Sequence, residues 1–399
     1  MTEEKTDDGG GAGETTAPRG GERARRLAAL RGSERVLSGI PHGLTVGERL
    51  ARLAADAPAA YDLDAGVDTY GDGVVGELEQ RVAELLGTEA AAFFPTGTMA
   101  QQVALRCWAG RTGSQVVALH PLSHLEKHER GAYAVVSGLR AVHPTDEPRP
   151  PTAEEIRELA EPFGTLLLEL PQRDAGFVLP TWEELTEVVE AARERDAVVH
   201  FDGARLWECV PHFGRGLPEI AALADSVYVS FYKSLGGLSG AALAGPAALV
   251  AEAKVWRHRY GGEVVQQWPA AVAALAGLDQ ELPRLPSYVA HAKVVARALA
   301  EGFRAAGVPW FRVHPGVPHT HQFQVWLPYP AAELEEAGVS LAEESGIWVF
   351  SRWFDSEVPG LAVTEVTVGS SALGWTPEAV VAAVGAVLDR LPAGCGGGG

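Results

Sequence analysis

Two buried strands that each end in ionisable residues constrain this chain more than any other feature. The first is predicted over residues 197–201, where Val and Phe favour extended structure, and it carries Asp202 and Arg205 beyond its end. The second is predicted over residues 226–231 and carries Lys233 into a glycine-broken loop. In open α/β sheets, ligands bind at the carboxyl ends of the strands. The sequence therefore predicts a ligand site where a carboxylate, a guanidinium and an amine meet.

The combination of Lys233 with Asp202 is typical of one cofactor chemistry. A lysine that follows an apolar strand among small residues suits a Schiff base with an aldehyde cofactor. An aspartate 31 residues earlier suits the pyridine nitrogen of pyridoxal 5'-phosphate (PLP), which it keeps protonated. Taken singly, each residue is equally consistent with a solvated strand end. Together they predict a PLP site.

A strand-to-helix junction is predicted to hold the phosphate. Residues 90–94 are predicted as a strand, and the small residues at 95–100 turn into a helix over 101–108. Free N–H groups of a first helical turn and the helix dipole favour an anion there, although such a turn is also an ordinary helix cap. His124 follows another predicted strand, and it is either a surface residue or a ring that lies on the cofactor and moves protons.

Composition excludes several classes of protein. A formal charge of −19 at pH 7 argues against a nucleic-acid partner, because phosphates would be repelled. No apolar run reaches the roughly 18 residues that a membrane-spanning helix needs, and the start of the chain lacks a signal-peptide pattern. Cys107, Cys209 and Cys395 are too few and too scattered for a disulfide framework or a zinc site, which predicts a reducing cytoplasm and no metal.

Alternating strands and helices predict an α/β fold, with a mostly parallel sheet in a large domain and a small C-terminal α+β domain. Residues 182–195 show the apolar spacing of an amphipathic helix, and residues 362–368 that of a strand. We expect a disordered, polar and glycine-rich tail over residues 1–32 and a flexible tail over 393–399. The large domain with its N-terminal arm is predicted over 33–285, and the small domain over 286–392.

In order along the chain, the motifs resemble those of the PLP-dependent threonine aldolases, in the β-eliminating lyase group with the aspartate-aminotransferase fold (fold type I). The resemblance runs from about Val36 to Leu285 and is weaker beyond. Its motifs are Val36-Leu37-Ser38-Gly39, Tyr70-Gly71-Asp72, Phe94-Pro95-Thr96-Gly97-Thr98-Met99-Ala100, Ser123-His124, Val178-Leu179-Pro180, His200-Phe201-Asp202-Gly203-Ala204-Arg205-Leu206 and Lys233-Ser234-Leu235-Gly236.

The resemblance implies roles for the residues around the cofactor. Lys233 would be the Schiff-base lysine, and Asp202 would be the partner of the ring nitrogen. His124 would stack on the ring and is a candidate base, and Arg205 would lie beside the cofactor. The phosphate would be held by Thr96, Gly97 and Thr98.

The resemblance also implies a substrate site. Arg205 and Ser38 would reach the substrate carboxylate. Tyr70 would line the site, from a neighbouring subunit, because members of this family are dimers or tetramers with sites at the subunit interface. A homodimer or homotetramer acting on a small amino acid is therefore expected, with neither nucleic acid nor membrane as a partner.

Several residues expected from the family pattern are replaced. Gln172 stands near the position of a second active-site histidine and cannot act as a base. Val363-Thr364-Glu365 stands where an arginine would precede a Val-Thr-His run, and neither Thr364 nor Glu365 can replace a guanidinium fork. The stretch 261–269 also lacks an expected arginine. Arg352, which lies among aromatic residues, is predicted to bind the substrate carboxylate instead.

The leading hypothesis is that the chain cleaves or forms the Cα–Cβ bond of a β-hydroxy-α-amino acid, giving glycine and an aldehyde. The replaced residues suggest a substrate other than threonine. A second hypothesis is another PLP reaction on the same scaffold: β-elimination, transaldol transfer or a specialised biosynthetic step. A third is a non-catalytic homologue that binds PLP. Intact Lys233 and Asp202 argue against the third hypothesis, because packing requires neither residue.

Overall fold

The computed structural model describes residues 20–39 and 44–392, and two sheets dominate this part of the chain. The strands of the described residues are β1 (Arg35–Val36), β2 (Ala90–Phe94), β3 (Val116–Ala118), β4 (Arg140–Val142), β5 (Thr165–Glu169), β6 (Val198–Gly203), β7 (Ser226–Ser230), β8 (Ala241–Gly245), β9 (Arg312–His314), β10 (Gln322–Leu327), β11 (Ile347–Trp348), β12 (Trp353–Asp355) and β13 (Ala362–Thr367).

Helices precede, separate and follow these strands. They are α1 (Gly20–Gly32), α2 (Val46–Ala60), α3 (Gly73–Leu86), α4 (Gly97–Thr112), α5 (His124–Lys127), α6 (Ala132–Val135), α7 (Ala153–Glu158), α8 (Trp182–Arg193), α9 (Val210–Phe213), α10 (Leu217–Ala221), α11 (Ala247–Arg259), α12 (Trp268–Gln280), α13 (Leu285–Ala305), α14 (Ala331–Ser345) and α15 (Pro377–Leu388), with short 3₁₀ helices at Leu206–Glu208, Leu282–Arg284 and Ser370–Ala372.

The larger sheet has the order β2-β8-β7-β6-β5-β3-β4. Strands β3 to β7 pair in parallel, and β8 runs antiparallel to β2 and β7. Every residue of β5, β7 and β8 is buried, as expected for strands covered on both faces. This pairing brings the carboxyl ends of β5, β6 and β7 together at one edge, where the sequence predicts the ligand site.

The smaller sheet has the order β12-β13-β10-β9 and is antiparallel throughout. Burial alternates along β13, because one face packs on a core that includes Phe323, Val325 and Val366. The opposite face carries Glu365 and Thr367. Helix α13 joins the two parts, with its first residues in the core of the larger sheet and later residues in that of the smaller sheet.

The α/β fold class, with a mostly parallel sheet and a small C-terminal α+β part, is confirmed. The limits 33–285 and 286–392 stay predictions, since β1 pairs with β11 and Leu37 belongs to the smaller core. Within the described residues no helix combines the length and apolar character needed to cross a membrane.

The expected disorder over residues 1–32 is wrong for its last part. Residues 20–32 form α1, which packs on α14. Ala29 and Leu30 are buried in this contact, and Arg25 forms ion pairs with Glu336 and Glu343. The polar composition of this segment predicted disorder, because the apolar partners of Ala29 and Leu30 lie about three hundred residues later in the sequence. The predicted tails over 1–19 and 393–399 lie outside the described residues.

Candidate active site

The register of three parallel strands places Glu169, Asp202 and Tyr228 side by side. The register of β5, β6 and β7 pairs Glu169 with Asp202, and Asp202 with Tyr228. One carboxylate oxygen of Asp202 accepts the N–H of Ala204 at 3.1 Å. Glu169 accepts the N–H of His124 at 2.8 Å, which fixes the start of α5 against the end of β5. The predicted residues Asp202 and His124 therefore lie around one point at this edge.

Burial sets the charges at this edge. It raises the pKa of the Asp202 carboxyl, and burial together with the Asp202 charge raises that of Glu169. Burial, and after it the Arg205 charge, lowers the pKa of Lys233 to about 8. The charges of Lys233 and His124 act against this rise in the pKa of Asp202, but among the described residues no cation lies within hydrogen-bond distance of its carboxylate. A protonated pyridine nitrogen would supply that cation.

Lys233 follows β7 in a segment that bends back towards β8. The N–H of Gly237 donates to the carbonyl of Phe231 at 2.9 Å, which closes the bend. A Cβ at position 237 would lie 2.9 Å from the same carbonyl oxygen, so the bend requires glycine there. The structure thus confirms that Lys233 lies in a loop at the carboxyl edge.

The predicted phosphate site is the N-terminus of α4. Thr96 is its N-cap, and the Thr96 hydroxyl accepts the N–H of Met99 at 3.2 Å. A Cβ on Gly97 would lie 2.1 Å from the hydroxyl oxygen of Tyr228, so any side chain at this position would collide with Tyr228. The first-turn N–H groups at Gly97 and Thr98 have no acceptor within the helix, and they favour an anion. Tyr228 connects Asp202 with the N-terminus of α4, because it pairs with Asp202 in the sheet and its hydroxyl lies against Gly97.

A buried carboxylate orients His124. Its Nδ1 lies 3.2 Å from an oxygen of Glu129, whose side chain is 1% exposed. Gln102 donates to the other oxygen of Glu129 at 3.2 Å, and Ser137 donates to Gln102 at 2.9 Å. A carboxylate at Nδ1 favours the tautomer with the proton on that nitrogen, which leaves Nε2 as an acceptor. Glu129 therefore occupies the Nδ1 side of His124 and leaves Nε2 as the nitrogen that can accept a hydrogen bond.

The predicted substrate residues lie at different places. Arg205 is half-buried, and its guanidinium lies 5.2 Å from the centre of the Phe177 ring. Ser38 is fully buried and accepts the N–H of Thr367 at 3.1 Å, which ties the segment after β1 to β13. Tyr70 is 57% exposed, and its predicted role at a neighbouring subunit stays a prediction.

The structure does not bring Arg352 to this group, and we correct that assignment. Its guanidinium lies 4.6 Å from the centre of the Phe354 ring, on the edge strand of the smaller sheet. Arg352 lines a surface cavity together with Arg26 of α1 and Glu335 of α14. The aromatic neighbours Phe350 and Trp353 suggested a buried setting, and they are buried, but Arg352 itself is exposed.

Sequence reasoning missed Glu169, Glu129 and Arg173 as residues of the site. Glu169 was recognisable as a strand end, but its pairing with Asp202 depends on the sheet register. Arg173 follows in the next turn, and its N–H donates to Glu169 at 3.3 Å. Gln172, at the position of the missing histidine, is buried.

A buried ion pair lies behind Lys233. Glu208 and Nε2 of His321 are 2.6 Å apart, and both side chains are at most 5% exposed. Nδ1 of His321 donates to the carbonyl of Val368 at 2.7 Å, and the hydroxyl of Ser234 donates to Glu208. The pair therefore links the segment of Lys233 to the smaller sheet, and the Glu208 charge and the Val368 carbonyl favour the protonated form of His321.

We expect the stability contributed by this pair to depend on pH. Burial acts to raise the pKa of Glu208, but His321, with Arg205 and Ser234, keeps the value below 4.5. This contribution is lost as pH falls through the lowered value. Burial acts to lower the pKa of His321, but Glu208, with the Val368 carbonyl, raises it above 6.5. This contribution is lost as pH rises through the raised value. Stabilisation is thus largest between pH 4.5 and 6.5.

Denaturant unfolding of His321→Gln tests this expectation. The variant should lose about 3 kcal/mol of unfolding free energy at about pH 6 and clearly less at about pH 9. His258→Gln is the matched control, because His258 forms its ion pair with Glu263 at the surface, where its side chain is 74% exposed. An equal loss at both pH values would contradict a charged pair.

Comparison with known proteins gives consistent matches. A family model described as beta-eliminating lyase matches residues 54–345. The low specificity L-threonine aldolase of Escherichia coli K12 is 34% identical over 244 residues, which are 59% of this chain and 72% of that protein. Two crystal structures extend the match over most of the chain.

One of these structures is from Listeria monocytogenes and is assigned as an L-allo-threonine aldolase. It has a TM-score of 0.82 at 33% identity and covers 93% of this chain and 100% of that chain. The other is from Exiguobacterium and is assigned as an aromatic amino acid beta-eliminating lyase/threonine aldolase. It has a TM-score of 0.81 at 36% identity and covers 92% of this chain and 100% of that chain.

Proposed function

The chain belongs to the β-eliminating lyase family, and we propose that it is a PLP-dependent lyase that cleaves or forms the Cα–Cβ bond of a β-hydroxy-α-amino acid. Cleavage gives glycine and an aldehyde. One observation supports this most directly. Lys233, Asp202 and the N-terminus of α4 lie at one edge of a parallel sheet, in a chain similar to threonine aldolases.

The residues at the edge fit PLP at three points. We propose that Gly97 and Thr98 hold its phosphate, where a side chain at 97 would collide with Tyr228. Asp202 would bind the ring nitrogen, since this carboxylate is buried and lacks a cation at hydrogen-bond distance among the described residues. Lys233 would hold the aldehyde carbon. When bound, PLP withdraws electrons from the bond that breaks at Cα.

The protein's own groups would then position the substrate and move a proton. His124 accepts the proton of the β-hydroxyl at Nε2, because Glu129 occupies the Nδ1 side. Arg205 binds the substrate carboxylate, and Phe177 keeps its guanidinium in place. Gln172 can donate or accept a hydrogen bond but cannot take the proton of the β-hydroxyl. His124 is therefore the base that we propose for this step.

We also propose that the chain forms a homodimer or homotetramer. Exposed apolar residues lie on two neighbouring segments, joined where the N–H of Tyr70 donates to the carbonyl of Val265 at 3.0 Å. Their exposed fractions are 57% for Tyr70, 56% for Val67, 53% for Val265 and 38% for Trp268. Apolar patches of this kind mark association surfaces. A cytoplasmic location, expected from the few cysteines, is likewise a proposal.

The function is tested with the PLP-loaded protein and a panel of β-hydroxy-α-amino acids that runs from threonine and allo-threonine to larger side chains. We expect glycine and an aldehyde in equal amounts, measured by amino-acid analysis and by enzymatic reduction of the aldehyde. Ammonia with a keto acid would instead identify β-elimination. Bound PLP without turnover of any amino acid would identify a binding protein and contradict the proposal.

A further inference from the structure

The turn after β5 is fixed by the smaller sheet. The carbonyl of Arg173 accepts the N–H of Gly176 at 2.8 Å, which closes the turn. Nε2 of His314, at the end of β9, donates to the carbonyl of Ala175 at 2.9 Å. A Cβ on Gly176 would lie 2.2 Å from the His314 ring, so the turn fits against this ring without a side chain. Arg173 is therefore held at the boundary between the two sheets.

The guanidinium of Arg173 has one edge in close contact with Glu365. Nη2 donates to an oxygen of Glu365 at 3.0 Å, and Nε lies 2.9 Å from the other oxygen without hydrogen-bond geometry. Nη1 has longer contacts of 3.4 Å, with Asp174 and with His128. An arginine fork can bind two acceptors at once, along different edges. Glu365 thus binds one edge of the group closely, and the longer Nη1 contacts with Asp174 and His128 are the ones that a substrate carboxylate would replace.

Arg173 also lies beside the reacting groups. Its N–H donates to Glu169, whose strand end is paired with Asp202. Its positive charge contributes to the lowered pKa of Lys233, after burial and Arg205. The side chain is 26% exposed, as suits a group at the mouth of a site and not in the core. A carboxylate held near Lys233 would therefore meet Arg205 and Arg173 together.

We propose that Arg173 binds the α-carboxylate of the amino-acid substrate together with Arg205, so that the second guanidinium of the clamp comes from the turn after β5. This assignment rests on the proposed function, because it places an amino acid at Lys233. Arg352 contacts the Phe354 ring and lines a cavity with Arg26, and none of its contacts among the described residues is with Arg173 or Lys233. The clamp remains complete although the smaller sheet carries Glu365 where an arginine motif was expected.

The competing explanation is a simple ion pair that links the two sheets. In that case Arg173 and Glu365 have the same role, and removing either should have the same effect. If Arg173 binds substrate, removing its guanidinium should weaken the binding of any ligand with a carboxylate. Removing the Glu365 charge should then have much less effect. The variants Arg173→Gln and Glu365→Gln therefore separate the two explanations.

Binding is measured on the PLP-loaded protein by titration of its visible absorption, with glycine as the carboxylate ligand and methylamine as the matching amine without one. We expect Arg173→Gln to weaken glycine by about 10- to 100-fold, the loss of one charge-assisted fork. Methylamine should change by less than about threefold. Glu365→Gln should change both ligands by less than about threefold, and so should the control Arg157→Gln, which breaks a surface ion pair with Glu194.

Three results with the variants would overturn the assignment. They are unchanged glycine affinity in Arg173→Gln, equal losses for glycine and methylamine, and equal losses in Arg173→Gln and Glu365→Gln. A wild-type protein without any glycine-dependent absorption change also overturns it. Failure of the proposed function has a different signature: no β-hydroxy-α-amino acid is cleaved, yet glycine still distinguishes wild type from Arg173→Gln. Unfolding midpoints of each variant verify that the fold is intact.

Discussion

Replacing Lys233 with alanine is expected to abolish turnover and the covalent attachment of PLP while the fold remains intact. Lys233 is the amine at the carboxyl edge of β5 to β7, and its lowered pKa of about 8 favours the neutral form that attacks an aldehyde. We expect turnover to fall by at least ~10⁴-fold, which corresponds to about 5.4 kcal/mol. Borohydride treatment followed by mass measurement should no longer fix the cofactor to the protein.

Lys127→Ala is the matched control for this experiment. Lys127 ends α5, close in sequence to His124, and its side chain is exposed. It should keep both turnover and borohydride fixation. Fixation of PLP to the Lys233→Ala protein would show that another amine holds the cofactor, and the proposed centre of the site would then be wrong.

The strand ends that carry the chemistry could be predicted from sequence. Val and Phe before Asp202, and the apolar run before Lys233, mark buried strands, and parallel strands bring their carboxyl ends to one edge. The prediction needed only local patterns and a rule of topology. The helix over 182–195 and the strand over 362–368 were local in the same way, and the structure has them at Trp182–Arg193 and Ala362–Thr367.

What failed depended on contacts between distant segments. Glu169 could be assigned to the site only from the strand register, which places it beside Asp202. Arg173 becomes a candidate ligand because the turn after β5 meets Glu365, 192 residues later. Arg352 looked buried from its neighbours, yet the strand it precedes is an edge strand. Charged side chains at a boundary between two sheets have no periodicity that a local pattern could detect.

Asp202→Asn is expected to keep PLP bound but to reduce turnover by about 10²- to 10³-fold, or roughly 2.7–4.1 kcal/mol. Asparagine has nearly the same shape, but it carries no negative charge to keep the ring nitrogen protonated, so the cofactor withdraws electrons less strongly. Burial raises the pKa of the Asp202 carboxyl in the protein alone, so a cationic partner is what lets it stay ionised. Single-turnover rates at a fixed pH, with PLP content measured on the same samples, test this expectation.

Asp225→Asn is the control, because Asp225 lies at the opposite end of the same sheet, where it accepts the N–H of Val199 at 2.7 Å. It should leave turnover per bound PLP unchanged, whatever it does to stability. If Asp202→Asn loses only about tenfold or less, roughly 1.4 kcal/mol, then Asp202 is not the partner of the ring nitrogen. Glu169, the other buried carboxyl at this edge, would then be the residue to test, since its pairing with Asp202 places it next along the sheet.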